Sequence, residues 1–369
     1  MTTDARPAYT RAGVDVGAGE LAVELLRQRI GPTVDIVGRR SAFAAALPLT
    51  LDGRREPVLV AATDGVGTKT EIARRMRRYD TIGQDLVAMC VDDVVCLGAK
   101  PEWLLDYLAV GRVDPERVAT IVDGIARACR GHCQLVGGET AEHPGLMEPD
   151  AFDLAGFCIG LVDAAGLIDG RSAMEGDVVF GLASSGLHAN GYSLVRAVLD
   201  EHGLDLRTPF RGLVARHLGP DAADAVPDDG ATLGDALLTP TRIYAWDIEA
   251  MLETLRDRSL RIAGLAHVTG GGLRANLPRA VPDHLAVEVD PSGWPVPPVV
   301  ALVAGLAGLP GSELRATFNG GIGMAIVVEP AAAATVTELL SKRSLEGWPI
   351  GTVIPASRTG AVRYREVDG

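Results

Sequence analysis

Short apolar runs, each closed by a turn rich in glycine or aspartate and followed by a helical stretch, recur through this chain. Only helices layered on sheets bury both kinds of segment, so the expected fold is α/β (α+β) in two domains. The run VLVAAT at 58–63 ends at Asp64 and the turn GVGTK, and EIARRMRRY then reads as a helix. IGQDLVAMCVDDVV is expected to be a second helix and WLLDYLAV a strand. Asp114 and Pro115 suit the N-cap and first turn of a helix over RVATIVDGIARACR, and CQLVGGE and FDLAGFCIGLV supply further strands. The stretch from Ala164 to Gly176 lacks periodicity and marks a junction between domains at 1–170 and 171–369.

The second half opens with the strand DVVFGLASS, the loop SGLHANG and the helix YSLVRAVLDEH. Residues Gly203 to Gly234 are rich in Pro, Gly and Asp and predict a surface excursion. Helix TRIYAWDIEAMLETLR, strand IAGLAHVT, the glycines at 270–272 and helix LRANLPRAV follow. After them come strands near LAVEV, GIGMAIVV and IGTVI, with helices near PPVVALVAGLAG and AAAATVTELLSKR between.

Composition excludes several functions. With 35 basic against 48 acidic residues the net charge is -13, which repels a nucleic-acid backbone, so no nucleic-acid partner is expected. Glycine, proline or charge interrupts every apolar stretch before the roughly 18 residues that a membrane span needs, and MTTDARPAYTR lacks a signal core; a cytoplasmic protein is expected. The five cysteines form no CxxC pair and read as buried thiols. There is no GxxxxGK[ST], and no GxGxxG follows a strand, which counts against P-loop kinases and dinucleotide dehydrogenases.

Carboxylates and glycines gather instead at strand ends. In TDGVGTKT, Gly65 and Gly67 let the backbone approach a ligand, Thr68 and Lys69 offer a donor and a cation for phosphate, and Asp64 offers a hard oxygen for magnesium. Turn chemistry explains the aspartate and glycines equally well. No core requires a cation and a carboxylate in such a turn, so Lys69 is expected to serve ATP and its removal to leave stability nearly unchanged. At 100° per residue, Asp85 and Asp92 lie about 20° apart and Asp93 about 80° from Asp85, which makes one acidic side that is either solvated or bound to a cation. Glu139 follows a strand and paired glycines. Among the histidines, His188 in SSGLHANGYS is set best to meet an anion or a reacting oxygen; His143 comes second, and His267 ends a strand beside TGGG.

TDGVGTK, IGQDLVAMCVDD, LVGGETAE, DLAGFCIG, SSGLHANGYSLVR, PTRIY, HVTGGG and TFNGGIGM occur in an order and spacing that resembles the phosphoribosylformylglycinamidine cyclo-ligases, the AIR synthetases, from about Tyr9 to about Ile354. Taken together, these motifs separate that family from relatives in the same ATP-binding superfamily, such as thiamine-phosphate kinase and the hydrogenase-maturation proteins. The resemblance implies a homodimer that pairs its N-terminal sheets, and ATP-dependent cyclisation of formylglycinamidine ribonucleotide to aminoimidazole ribonucleotide, with ADP and phosphate released via an iminophosphate. By position, Asp64 and Asp93 resemble magnesium and nucleotide ligands, with Asp85 and Glu139 close behind, and Lys69 resembles a phosphate contact. His188 resembles the residue at the formyl oxygen, with Ser185, Gly186 and Asn190 its substrate loop. Two departures stand out: VGRRSAFAAAL at 37–47 replaces a GGxGGF segment, and 203–234 exceeds the family pattern. The first keeps open a paralogue that phosphorylates a related amide or amidine, and a non-catalytic nucleotide-binding scaffold is the third alternative.

Overall fold

A computed structural model describes residues 16–30, 44–360 and 362–367. The segment carrying Arg39, Arg40 and Ser41 lies outside the described residues. Helix α1 (Val16–Ile30) packs on α4 of the first layered unit, which runs β1 (Pro57–Gly65), α2 (Lys69–Met76), α3 (Ile82–Cys96), β2 (Lys100–Val110), α4 (Pro115–Cys129), β3 (Gln134–Glu142) and β4 (Phe152–Asp163). The four strands form one sheet in the order β1-β4-β2-β3; β4 is antiparallel to both its neighbours, and β2 and β3 are parallel.

Local rules account for most of these elements. The Asp114 carboxylate accepts the Arg117 N–H at 3.3 Å and Pro115 fills the first turn of α4, as the sequence predicts. Helix α3 is apolar on nearly every side, and such a helix must be covered all round. Sheet strands β1, β4 and β2 and helix α4 cover it from its own domain. The crossing with α4 is close because Gly83 sits in it: a Cβ there would lie 2.4 Å from the Ile125 nitrogen.

The second sheet has six strands in the order β10-β7-β9-β5-β8-β6. They are β5 (Val178–Ala183), β6 (Ile262–His267), β7 (Leu285–Val289), β8 (Ile322–Val328), β9 (Gly347–Pro355) and β10 (Tyr364–Glu366). Around it lie α5 (Tyr192–Glu201), α6 (Phe210–Leu218), α7 (Pro220–Asp224), α8 (Leu233–Leu237), α9 (Ala245–Asp257), α10 (Gly272–Asn276), α11 (Pro298–Leu306), α12 (Gly311–Thr317) and α13 (Ala333–Lys342). Helix α9 and strand β6 close the remaining side of α3, so this one helix belongs to the packing of both domains.

Two sequence expectations change here. The stretch from 203 to 234 is no surface excursion: α6, α7 and the start of α8 lie within it, and Phe210, Leu213, Val214, Val226 and Leu233 are core residues. Its polar residues act as local caps; the Thr232 hydroxyl and the Asp235 carboxylate form a capping box for α8. The second change is at TRIY, which stays outside α9 because side chains of α3 bind its backbone at Thr241 and Tyr244.

Candidate active site

Helix α3 presents carboxylates at both ends of the interdomain contact, and the two ends differ. Near its start, Asp85 is fully buried. Its Oδ1 accepts the Lys69 ammonium at 2.8 Å, the Thr241 N–H at 2.8 Å and the Thr241 hydroxyl at 2.6 Å. Lys69, at the first turn of α2, also has no solvent exposure and donates further to the carbonyls of His188 at 2.9 Å and Thr239 at 2.7 Å. Burial pushes the Lys69 ammonium down and the Asp85 carboxyl up, and each charge opposes the shift of the other.

This placement corrects the expectation for Lys69. Its three ammonium protons are already donated inside the protein, so it reaches no phosphate in this arrangement and ties the first domain to two loops of the second. Asp85 is corrected as a metal ligand because its Oδ1 is taken by Lys69 and Thr241 and the whole residue is sealed from solvent. It also lies eight residues before Asp93, about 12 Å along the helix, which is too far to share an ion.

Asp92 is likewise fully buried, not solvated. Its Oδ1 accepts the N–H groups of Tyr244 at 2.9 Å and Ala245 at 2.7 Å, the free donors at the start of α9. Burial raises its carboxyl to about 7, while the His267 charge and the two N–H groups pull the other way. A cap supplied from another helix leaves no local signal, which explains why the helix was expected to begin at Thr241.

Asp93, one residue on, faces a different environment. Its side chain is 39% exposed and meets the buried ring of His267, with 2.9 Å between Oδ1 and Nδ1. Burial pushes the His267 imidazolium down, but the hydrogen bond to Asp93 and the charges of Asp92, Asp93 and Asp64 outweigh it and raise its pKa. Asp64, at the end of β1, is half-buried; desolvation raises its carboxyl, the Gly65 N–H lowers it, and the Asp93 charge raises it further. A cavity of about 390 Å³ opens between β1 and β6, the end strands of their two sheets, and is bordered by Thr63, Asp93, His267 and Arg279.

Two neighbouring carboxylates with hard oxygens suit magnesium, which takes one or two carboxylates and completes its shell with phosphate and water. Asp64 and Asp93 meet that requirement. Glu139 does not join them: it lies on β3, at the opposite edge of the sheet from β1, and pairs with exposed Tyr107. Asp64 pairs with buried Gly156, on the face that α3 covers. Among the described residues no cluster of three or more His, Cys, Asp or Glu is placed to hold a metal. The turn after Asp64 stays open at Gly67, where φ is 66° and no atom would meet a Cβ. The Thr68 hydroxyl lies 3.3 Å from that of Ser193 in α5.

The loop after β5 is built around His188. The residue is left-handed, with φ of 62°, and its ring is buried. Its Nε2 accepts the Ser185 N–H at 3.1 Å, and its Nδ1 is buried without a partner among the described residues. The ring is therefore neutral; burial and then the charges of His267, Lys69 and Arg242 hold its pKa well below the usual range. Gly323 on β8 makes room for it, since a Cβ there would lie 2.4 Å from the imidazole and 2.2 Å from the Tyr244 hydroxyl. The Ser185 hydroxyl donates to the Pro240 carbonyl at 2.8 Å, the Gly186 carbonyl accepts Asn319 Nδ2 at 2.7 Å, and Asn190 Nδ2 lies 3.5 Å from the Met89 sulfur. Ser185, Gly186, His188 and Asn190 share one loop, as their nearness in sequence requires, and the His188 ring that was expected to meet an anion or a reacting oxygen is buried there. Sequence reasoning missed Asp92 as a cap, Thr241 as the Asp85 partner and His267 as the Asp93 partner; only the HVTGGG motif pointed towards the last.

The AIR synthase related protein models match this chain at 43–162 for the N-terminal domain and 174–363 for the C-terminal domain. The phosphoribosylformylglycinamidine cyclo-ligase of Anaeromyxobacter sp. (strain Fw109-5) is 43% identical over 349 residues, 94% of this chain and 95% of that protein. That of Xanthomonas oryzae pv. oryzae (strain PXO99A) is 41% identical, covering 96% and 99%. Among solved structures, thiamine-monophosphate kinase from Stenotrophomonas maltophilia K279a shares the fold with a TM-score of 0.62 at 18% identity, covering 94% of this chain and 95% of that one. Hydrogenase maturation protein HypE in complex with ATP does so with a TM-score of 0.62 at 20% identity, covering 96% and 92%. The fold is thus common to several enzymes, and it is the near full-length identity to the cyclo-ligases that decides among them: this chain belongs to the phosphoribosylformylglycinamidine cyclo-ligase family.

Proposed function

We propose that this protein catalyses the ATP-dependent closure of formylglycinamidine ribonucleotide to aminoimidazole ribonucleotide in purine biosynthesis. The observation that carries this reading is identity above 40% to curated cyclo-ligases over nearly the whole chain. The chemistry is balanced. The amide oxygen attacks the γ-phosphorus of ATP and ADP leaves; the neighbouring nitrogen then attacks the iminophosphate carbon, the carbon–oxygen bond breaks and phosphate departs. An amide oxygen is a poor leaving group and a phosphate a good one. The protein's part is to align the groups and neutralise charge.

In this reading Asp64 and Asp93 hold magnesium, which offsets the phosphate charge when bound. The turn of Gly65, Gly67 and Thr68 offers backbone N–H groups and a hydroxyl to the nucleotide. Ser185, Gly186, His188 and Asn190 form the substrate loop, with His188 facing the formyl oxygen once the loop moves. Lys69 acts on that loop through the His188 carbonyl and is not assigned to phosphate. The enzyme acts in the cytoplasm; among the described residues no single helix is long and apolar enough to cross a membrane, and the five cysteines are free.

We also propose a homodimer. The face of the first sheet turned away from α3 exposes Leu59 at 64%, Phe157 at 55% and Tyr107 at 41%, and a second copy pairing the same face would cover them. The test is the molar mass in solution: the protein should run as a dimer and Phe157→Lys as a monomer. A monomeric wild type would refute the pairing.

The activity test supplies ATP, magnesium and formylglycinamidine ribonucleotide and follows aminoimidazole by its diazo coupling product. Wild type should form the ring, and His188→Ala should lose about 100-fold in the chemical step while still binding ATP. ATP hydrolysis without imidazole would point to a related amide substrate, and normal cyclisation by His188→Ala would remove the histidine from the mechanism.

A further inference from the structure

His267 belongs to neither the glycine turn nor the substrate loop, yet it stands at the wall of the interdomain cavity. It is the last residue of β6, its ring is 2% exposed, and its Nε2 is buried with no hydrogen-bond partner among the described residues. A leucine would fill that space without the desolvation cost of an imidazole, so packing does not account for the residue. Among the described residues its one side-chain hydrogen bond goes to Asp93 of the other domain. An ionised carboxylate only accepts, so Nδ1–H is the donor.

A half-exposed aspartate on a helix turns freely about its side-chain bonds. A donor fixed on one oxygen restricts that rotation, in the way that partners behind metal-binding groups orient them. The donor here is rigid for a geometric reason: β6 is held by β8 through Leu265 to Ile326 and His267 to Met324. Asp93 is therefore oriented by a strand of the second domain although its helix belongs to the first.

We infer that His267 is a positioning residue for Asp93, which it aims across the domain boundary at the magnesium of the bound nucleotide. This rests on the assignment of Asp93 to magnesium made above. It makes the nucleotide site depend on the contact between β6 and α3.

The test is a magnesium titration of the binding of a fluorescent, non-hydrolysable ATP analogue to the purified full-length protein, with melting temperature recorded for each variant. His267→Ala should raise the magnesium concentration at half-saturation by about tenfold, the lower end of what the loss of such a partner costs. His267→Asn keeps an N–H that reaches Asp93 and should recover most of that loss. His267→Leu keeps the volume without the donor and serves if the alanine variant does not fold. Asp93→Asn is the control. If Asp93→Asn shifts the titration and the donor-free variants superpose on wild type, the role of His267 is refuted while that of Asp93 stands. A failure of asparagine to recover binding also refutes it, because packing alone would then explain the loss. An unchanged Asp93→Asn titration removes the magnesium assignment and this inference with it.

Discussion

The two ends of α3 carry the same residue type and belong to the same sequence motif, yet Asp85 and Asp93 stand in opposite environments. Asp85 is sealed from water and its charge is consumed by Lys69 and Thr241. Asp93 borders a cavity and makes one hydrogen bond to a histidine. A carboxylate buried without a cation would be lost to protonation, so the lysine at the closed end is a condition of the fold. At the open end water and ligand can share the charge. Partner and exposure, and not residue type, separate the structural aspartate from the candidate metal ligand.

The strongest challenge to this contrast is Lys69→Met. It strands the Asp85 carboxylate in the interior and should cost about 3–5 kcal/mol in urea unfolding, with part recovered by adding Asp85→Asn. A variant as stable as wild type would return Lys69 to the phosphate role that the sequence predicts. Second, Asp92→Leu removes the acceptor for two N–H groups at the start of α9 and should cost about 2 kcal/mol, whereas Asp92→Asn, which keeps an acceptor oxygen, should cost less than about 1 kcal/mol. Equal losses in the same unfolding assay would show that the charge of Asp92, and not its capping, matters.

At the open end the expectation reverses. Asp93→Asn should unfold within about 1 kcal/mol of wild type, and its effect should appear in the magnesium titration instead. A large loss of stability would make Asp93 another structural carboxylate and erase the distinction.

The smallest effect concerns a surface network on α2, a control that touches neither end of α3. Hydrogen bonding by Arg74 holds the Glu71 carboxyl at about 2, against the opposing effect of burial and with help from Arg75. A folded value below the unfolded 4.5 means stability that is present above pH 4.5 and lost as pH falls towards 2. Glu71→Gln should therefore cost about 1 kcal/mol at neutral pH, the top of the range for partly exposed pairs, and that gap should close in acid. A gap independent of pH in parallel unfolding curves would assign the loss to packing.

Local order was readable where neighbours in sequence decide it. Alternating burial on β4, the Asp114 cap and the long apolar α3 follow from side-chain periodicity and from turn chemistry spanning a few residues. The same holds for the loop of Ser185 to Gly191, whose two glycines and serine mark a turn before a helix. Residues 203–234 misled because Pro, Gly and Asp mark helix ends as readily as loops, and three short helices in succession are mostly ends.

Residue patterning was enough to read the α/β layers, the family, and the set of acidic and glycine-rich segments from which the site is drawn. Which members of that set meet depends on contacts between residues far apart in the chain. Lys69 reaches Asp85 across 16 residues, but Thr241 lies 156 residues from Asp85, and His267 174 from Asp93. A buried charge is stable only beside its compensating group, and which group that is depends on how two sheets close over one shared helix.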